Sequence, residues 1–144
     1  FLSKGKPSRV EELPPDVSAV STSNNHTVVL SSTGTVFTSG SGLGGRLGHG
    51  CDDSLPLFHP VAGLDRLRVT CIAASDHHTL AITDTGAVYA WGSNSNGQLG
   101  TGVTGSKEVM PAQLAPKRLT ELKKILCVSA AVALNHSVLV GGDG

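Results

Sequence analysis

Short runs of apolar and β-branched residues recur along the chain, each broken after about five positions by Ser, Thr, Asn, Asp or Gly. Residues 17–20, 26–30 and 35–38 form one series, and residues 69–73, 78–82 and 87–91 form a second. Runs of this length and composition read as β-strands. The punctuation Ser31-Ser32-Thr33-Gly34 and Thr83-Asp84-Thr85-Gly86 reads as hairpin turns, with Gly34 and Gly86 supplying the positive φ that such turns require. One segment departs from this pattern. Leu119-Thr120-Glu121-Leu122, set between Lys117-Arg118 and Lys123-Lys124, predicts a short helical turn with both leucines inward. Its basic side chains are then solvated; the alternative is a basic spot that meets an acidic partner.

The two series are copies of one another. With an offset of 52, residues 26–50 fall on residues 78–102 without a gap, with 11 identities in 25 positions. Among the matched pairs are His26/His78, Gly34/Gly86, Gly40/Gly92, Leu47/Leu99 and Gly48/Gly100; Ser39 faces Trp91 as a mismatch. A third copy opens at Asn135-His136-Ser137, and Gly144 follows His136 by eight residues, as Gly34 follows His26. His136 lies 58 residues after His78, so the second unit carries about six extra residues, which the polar stretch 103–110 accommodates. Lys6-Pro7-Ser8-Arg9-Val10, His59-Pro60-Val61 and Pro111-Ala112-Gln113-Leu114 are read as equivalent strand material preceding each unit. The organisation expected is the end of one blade over 1–16, repeat 1 over 17–68, repeat 2 over 69–125 and the start of repeat 3 over 126–144. Internal repetition at this period, with four short strands per unit, predicts an all-β partial propeller: two complete four-stranded blades plus parts of the flanking ones.

Residues 78–102, HTLAITDTGAVYAWGSNSNGQLGTG, resemble the signature of the regulator of chromosome condensation repeat family. The resemblance implies a seven-bladed ring, of which this chain would supply a segment. It also implies protein partners, with a small GTPase or ubiquitin-ligase components as the family's examples. The run Gly44-Gly45-Arg46-Leu47-Gly48-His49-Gly50 is similar to one in a BTB-containing adaptor branch of that family.

Composition narrows the function further. Eleven basic and eleven acidic residues cancel, which removes any chain-wide attraction to nucleic acid. No apolar run approaches the ~20 residues needed to cross a bilayer, and the first sixteen residues show no apolar core of a signal peptide. Glycine reaches 18 of 144 residues, spread as turns would be. Three cysteines, Cys51, Cys71 and Cys127, are odd in number and widely spaced, which argues against a disulfide framework or zinc finger and for a reducing, intracellular setting.

Several motifs invite chemistry. Gly40-Ser41-Gly42-Leu43-Gly44-Gly45 satisfies GxGxxG, but the residues after it make a poor helix start, and its second copy loses the middle glycine; it is read as a repeat turn rather than a dinucleotide site. His26, His78 and His136 recur once per unit, so they are carried around a ring instead of converging on a metal; they are expected to anchor strand starts by hydrogen bonds to neighbouring turns. His49 with Cys51-Asp52-Asp53 is read as a solvated loop. The sequons at Asn25 and Asn135 follow from the repeat. Tyr89 and Trp91 share a run and are expected to face opposite sides of it, with Trp91 in the core. No nucleophile–base pair stands out, so no catalytic residue, metal ligand or cofactor is assigned. The expected function is a non-catalytic protein-interaction module, with part of a guanine-nucleotide exchange factor as the alternative, and the loops over 42–57, 94–110 and 117–125 as the candidate contacts.

Overall fold

The computed structural model describes residues 2–3, 6–102 and 112–142, with side chains from residue 8 onward. Gly144 and the insertion expected at 103–110 lie outside the described residues. Twelve strands appear among them: β1 Leu2–Ser3, β2 Lys6–Pro7, β3 Val17–Thr22, β4 His26–Ser31, β5 Val36–Gly40, β6 Leu55–Pro60, β7 Val69–Ala74, β8 His78–Thr83, β9 Val88–Gly92, β10 Gln113–Arg118, β11 Cys127–Val132 and β12 Ser137–Gly141. β3 to β6 form one antiparallel meander and β7 to β10 a second, each a four-stranded sheet in sequence order; β11 and β12 pair as the opening of a third. β1 and β2 form a short hairpin with Leu2 opposite Pro7.

The sheets stack, and stacking decides which residues are buried. β8, inside the middle sheet, is buried at all six positions, whereas β3, an edge strand of the first sheet, is mostly exposed. Between the first and second sheets lies a core of Val28, Leu30, Val36, Val61, Leu64, Val69, Ala81 and Trp91. Between the second and third lies one of Leu80, Ile82, Val88, Ala90, Leu99, Leu119 and Cys127. Val28/Leu80, Leu30/Ile82, Val36/Val88, Val61/Leu119 and Val69/Cys127 hold equivalent places, so the repeat builds the same junction twice. This arrangement is that of successive propeller blades.

Each unit also closes on the next through its hairpin glycine. Gly34 lies at φ +93° and its carbonyl accepts the amide of Val69 at 3.1 Å; Gly86 lies at φ +75° and its carbonyl accepts the amide of Cys127 at 3.2 Å. A Cβ on Gly34 would come within 2.9 Å of the Arg68 and Val69 backbone, so the close approach and the turn both select glycine.

Three expectations need correction. The strand equivalent to Leu55–Pro60 is Gln113–Arg118, so Pro111-Ala112-Gln113-Leu114 does not match His59 to Leu64; Leu119 and Leu122 match Val61 and Leu64 instead. Each of those pairs brackets a 3-10 turn, Ala62–Leu64 or Thr120–Leu122, where the chain passes from one sheet to the next. The loop boundaries shift for the same reason: residues 55–57 belong to β6, and Lys117 and Arg118 belong to β10. Tyr89 and Trp91 share one face of β9 and pack on the same first core, as residues two apart on a strand must.

Candidate functional site

Each β3–β4-type turn feeds a histidine into the junction with the next sheet. The turn at Ser23 places its hydroxyl 3.1 Å from His26 Nδ1, and His26 Nε2 lies 2.8 Å from Thr79 Oγ1 on β8. Thr79 in turn donates to the carbonyl of Arg46 at 3.0 Å. The second unit repeats the chain of contacts: Ser75 Oγ to His78 Nδ1 at 2.7 Å, His78 Nε2 to Ser137 Oγ at 2.9 Å, and Ser137 Oγ to the carbonyl of Gln98 at 2.8 Å. Arg46 and Gln98 are themselves 52 residues apart.

The donors fix the tautomer. Thr79 and Ser137 each have one hydroxyl proton, and it goes to a carbonyl, so each must accept from the imidazole Nε2–H. Burial, the largest cause, pushes the pKa of both rings down to about 4, so near neutral pH each is uncharged with its proton on Nε2 and with Nδ1 accepting from the serine hydroxyl; for His26 the charge of Arg46 adds to the shift, and for His78 those of His77 and His136. His136, which opens the third unit, is exposed.

The first junction is completed by two larger side chains. Trp91 is fully buried, and its Nε1 donates to the Arg46 carbonyl at 2.9 Å, the same oxygen that receives Thr79. The Arg46 side chain donates from Nε to Leu43 O at 2.7 Å and from Nη1 to Asp76 O at 2.6 Å. Asp76 spans the two inner turns by accepting Asn24 N–H and Nδ2–H, both at 2.9 Å, and these bonds hold its carboxyl below the usual range. Leu47 and Leu99 are buried in equivalent positions.

Gly40 and Gly92 end β5 and β9 opposite His26 and His78. Gly92 lies at φ +105°, and a Cβ there would stand 2.5 Å from the His77 carbonyl. Gly92→Ala is expected to cost about 2 kcal/mol or more, from left-handed strain alone and then from the clash. A thermal melt comparing it with Gly44→Ala, whose added Cβ meets nothing, separates the two contributions.

This geometry is structural rather than chemical. Ser–His–Thr resembles a hydrolytic trio in composition, but Thr79 is fully buried and its proton is committed to a carbonyl, so no substrate atom can reach it. The GxGxxG run becomes a three-residue 3-10 turn, Leu43–Gly45, with no α-helix to receive a pyrophosphate. His49 is turned inward to Thr38 Oγ1 at 2.8 Å, and His59 stands edge-on to it at 6.4 Å. Among the described residues no cluster of three or more His, Cys, Asp and Glu could hold a metal ion, and no helix is long and apolar enough to cross a membrane. Cys51, Cys71 and Cys127 are free thiols.

The sequence reading singled out the histidines but not Ser23, Ser75, Thr79, Ser137 or Arg46. The signal was present as Ser-x-x-His-Thr, with Ser23 and Ser75 each three residues before the histidine and a hydroxyl residue always following it. In the third unit the leading serine is Ala133.

One rim lies clear of the junctions. Because the strands alternate in direction, the turns at 23–25, 75–77 and 133–135 share an end of the stack with the β5–β6 and β9–β10 connections. Ser41 N–H donates to Asn25 O and Ser93 N–H to His77 O, which ties loops and turns together. Leu43 stands 65% exposed, Asp52 and Asp53 of the same connection are exposed, and so are Ser95 and Asn96 of the β9–β10 connection.

Two four-stranded sheets of one repeat, with the same relay at both junctions, identify the unit. The description "Regulator of chromosome condensation (RCC1) repeat" matches residues 33–82 and 85–140, and a second form of it matches residues 17–46 and 69–98. The chain belongs to this repeat family. It is 37% identical over 121 residues to the ultraviolet-B receptor UVR8 of Arabidopsis thaliana, covering 83% of this chain and 26% of that protein. It is 37% identical over 114 residues to the inhibitor of Bruton tyrosine kinase of Homo sapiens, covering 79% of this chain and 8% of that one. It is 36% identical over 102 residues to the secretion-regulating guanine nucleotide exchange factor of Bos taurus, covering 65% and 22% respectively. Among solved structures, human WBSCR16 superposes with a TM-score of 0.83 at 23% identity, over 97% of this chain and 34% of that one. The RCC1-repeat chain thus spans about a quarter or less of each of these curated relatives.

Proposed function

We propose that this RCC1-repeat segment is a non-catalytic protein-interaction module whose contact surface is the loop rim. The observation that carries it is the division of labour between repeat and loop: the recurring polar groups are paired inside the junctions, while the exposed rim residues break the repeat. Leu43 faces Ser95 in the alignment, and His49-Gly50-Cys51-Asp52-Asp53 has no copy in the second unit beyond Gly102. Rigid strands carrying divergent loops are the usual basis of recognition. An intracellular setting, supported by three free thiols, and the division of the chain into units at 17, 69 and 126 belong to the same reading.

Rim variants test it. Leu43→Asp and the pair Asp52→Lys with Asp53→Lys alter exposed side chains, so the melting temperature is expected to stay within about 3 °C, because surface changes of this kind cost under ~0.5 kcal/mol. Capture of protein partners from cells, quantified by mass spectrometry, is expected to lose a discrete set of proteins tenfold or more, as removal of a central contact does. An unchanged set with every rim variant would refute the rim as the surface.

A second reading is favoured by the likeness to the exchange factor: part of a guanine-nucleotide exchange factor for a small GTPase, with a rim loop as the wedge. Release of a fluorescent guanine nucleotide from a panel of small GTPases tests it. Acceleration abolished by Leu43→Asp would support exchange; no acceleration across the panel would remove it and leave partner classes such as ubiquitin-ligase components.

A further inference from the structure

We propose that Thr120 is a phosphorylation site for an Arg/Lys-directed serine/threonine kinase, at the end of the stack opposite the rim. The reading of the rim is not needed for this. Thr120 opens the 3-10 turn Thr120–Leu122, which carries the chain from β10 to β11. Lys117 and Arg118 precede it, and Lys123 and Lys124 follow the turn, against the one carboxylate of Glu121. Kinases of this class grip cations flanking the acceptor hydroxyl with carboxylates of their own, and such charge patterns are how they choose substrates.

The fold holds this segment open. Leu119 keeps an extended backbone, at φ −80° and ψ 99°, so the alternation of β10 runs on through it. Arg118 and Thr120 therefore face the same way and are exposed, while Leu119 between them is buried. The Thr120 hydroxyl makes no hydrogen bond among the described residues, whereas those of Thr79, Thr83 and Thr85 in the same unit are all paired. Thr35 and Ser129 are also exposed and unpaired, but neither follows a cation within four residues. The openness belongs to the repeat. In the first unit, where the sheets on both sides have four strands, Ala62 stands in the place of Thr120 and is exposed. So are His59 and Pro60, the counterparts of Lys117 and Arg118, and Asp65 and Arg66, those of Lys123 and Lys124. Only the second unit puts a hydroxyl between cations there.

Entry into a kinase groove requires the turn to straighten, and one backbone bond closes it, Lys123 N–H to Thr120 O at 3.3 Å. In the reaction the Thr120 hydroxyl passes its proton to a kinase carboxylate and Oγ1 bonds the γ-phosphorus of ATP. The bond from that phosphorus to the bridging oxygen breaks, and ADP leaves. The product fits the folded turn. Side chains three apart on a 3-10 turn eclipse, which sets Lys123 beside the new phosphate and its charge of about −1.5 to −2. The chain already carries a negative group at such a place. Arg9-Val10-Glu11-Glu12-Leu13 repeats the order of Arg118-Leu119-Thr120-Glu121-Leu122, with the exposed Glu11 where Thr120 stands.

The 144-residue chain incubated with ATP and a panel of purified Arg/Lys-directed kinases tests this, with the site located by tandem mass spectrometry. Phosphate on Thr120 is expected with at least one kinase, and Thr120→Val is expected to remove it. Arg118→Ala alters an exposed side chain and is expected to lower kcat/KM about tenfold or more, as loss of a charged hydrogen bond does. A synthetic peptide of residues 113–124 serves as the unfolded reference. The folded chain is expected to react within about a hundredfold of that peptide, because only the turn has to open. A site reached only by global unfolding would lag by roughly a thousandfold or more, since so little of a stable domain is unfolded. The proposal fails if no kinase of the panel places phosphate on Thr120, or if Arg118→Ala reacts as fast as the parent. It also fails if the chain lags the peptide by more than that hundredfold.

Discussion

Trp91→Ala is expected to be the most damaging single substitution in the chain, costing about 3–5 kcal/mol, the range for truncating a buried large aromatic. The ring is fully buried among Val28, Val36, Val61 and Leu64, so nothing collapses easily into the space it leaves. The same change strips the Arg46 carbonyl of one of its two donors. A domain of this size is stable by only ~5–15 kcal/mol, so such a loss removes a large share of its margin. Urea denaturation should show the midpoint fall with little change of slope, and hydrogen exchange should locate the loss between the first and second sheets. Trp91→Phe keeps most of the packing and loses the N–H donor, so it is expected to cost ~1–2 kcal/mol. A loss under ~1 kcal/mol for the alanine variant would mean that Trp91 does not join the two sheets.

The second large effect is acid sensitivity. His26 and His78 have ordinary pKa values near 6.5 when unfolded and about 4 when folded. The folded state therefore resists protonation and the unfolded state binds more protons between those values. Their contribution to stability is complete above pH 6.5 and is lost progressively as the pH falls toward 4. In that window unfolding should take up nearly two protons from this pair. His49 is shifted downward by burial and by His59, so it acts in the same direction. Asp76, whose carboxyl is held low by Asn24, begins to lose its contribution only at more acidic pH. His26→Gln and His78→Gln keep a side-chain N–H donor toward Thr79 and Ser137 and remove the titration. Each is expected to reduce the proton uptake by about one. Urea midpoints measured from pH 7.5 down to 4.5 give that number, and a flat profile for the parent chain would contradict the neutral, buried state of both rings.

The propeller-type architecture was legible because strand length, hairpin glycines and the offset of 52 all carry the same period. Local rules reach as far as the hairpins at Gly34 and Gly86. They do not reach the boundary between β10 and the turn after it, because the second unit carries extra residues ahead of β10 and Pro111 offered a false landmark. The correct landmark was Leu119-x-x-Leu122, matching Val61-x-x-Leu64, whose leucines are selected by the core rather than by any turn. The face shared by Tyr89 and Trp91 follows from strand alternation alone. The site was less legible. Recurrence marked His26 and His78, but which hydroxyl meets which nitrogen depends on sheets brought together from 53 and 59 residues away. The buried Arg46 was hidden because its copy is Gln98, so the pairing with Asp76 O has no echo in the sequence. The loops over 42–57 and 94–110 were expected contacts from the sequence, but that they share an end with the β3–β4-type turns follows only from the strand directions.

That the repeating histidines are spent on joining sheets, leaving the rim loops to meet partners, is tested most directly by following the imidazole nitrogens of the whole chain by NMR as pH is lowered. His26 and His78 should remain in the neutral, Nε2–H form down to about pH 5. If His26 and His78 protonate near pH 6.5 with the fold intact, they are solvent-facing groups free for other chemistry, and the structural role assigned to them is wrong.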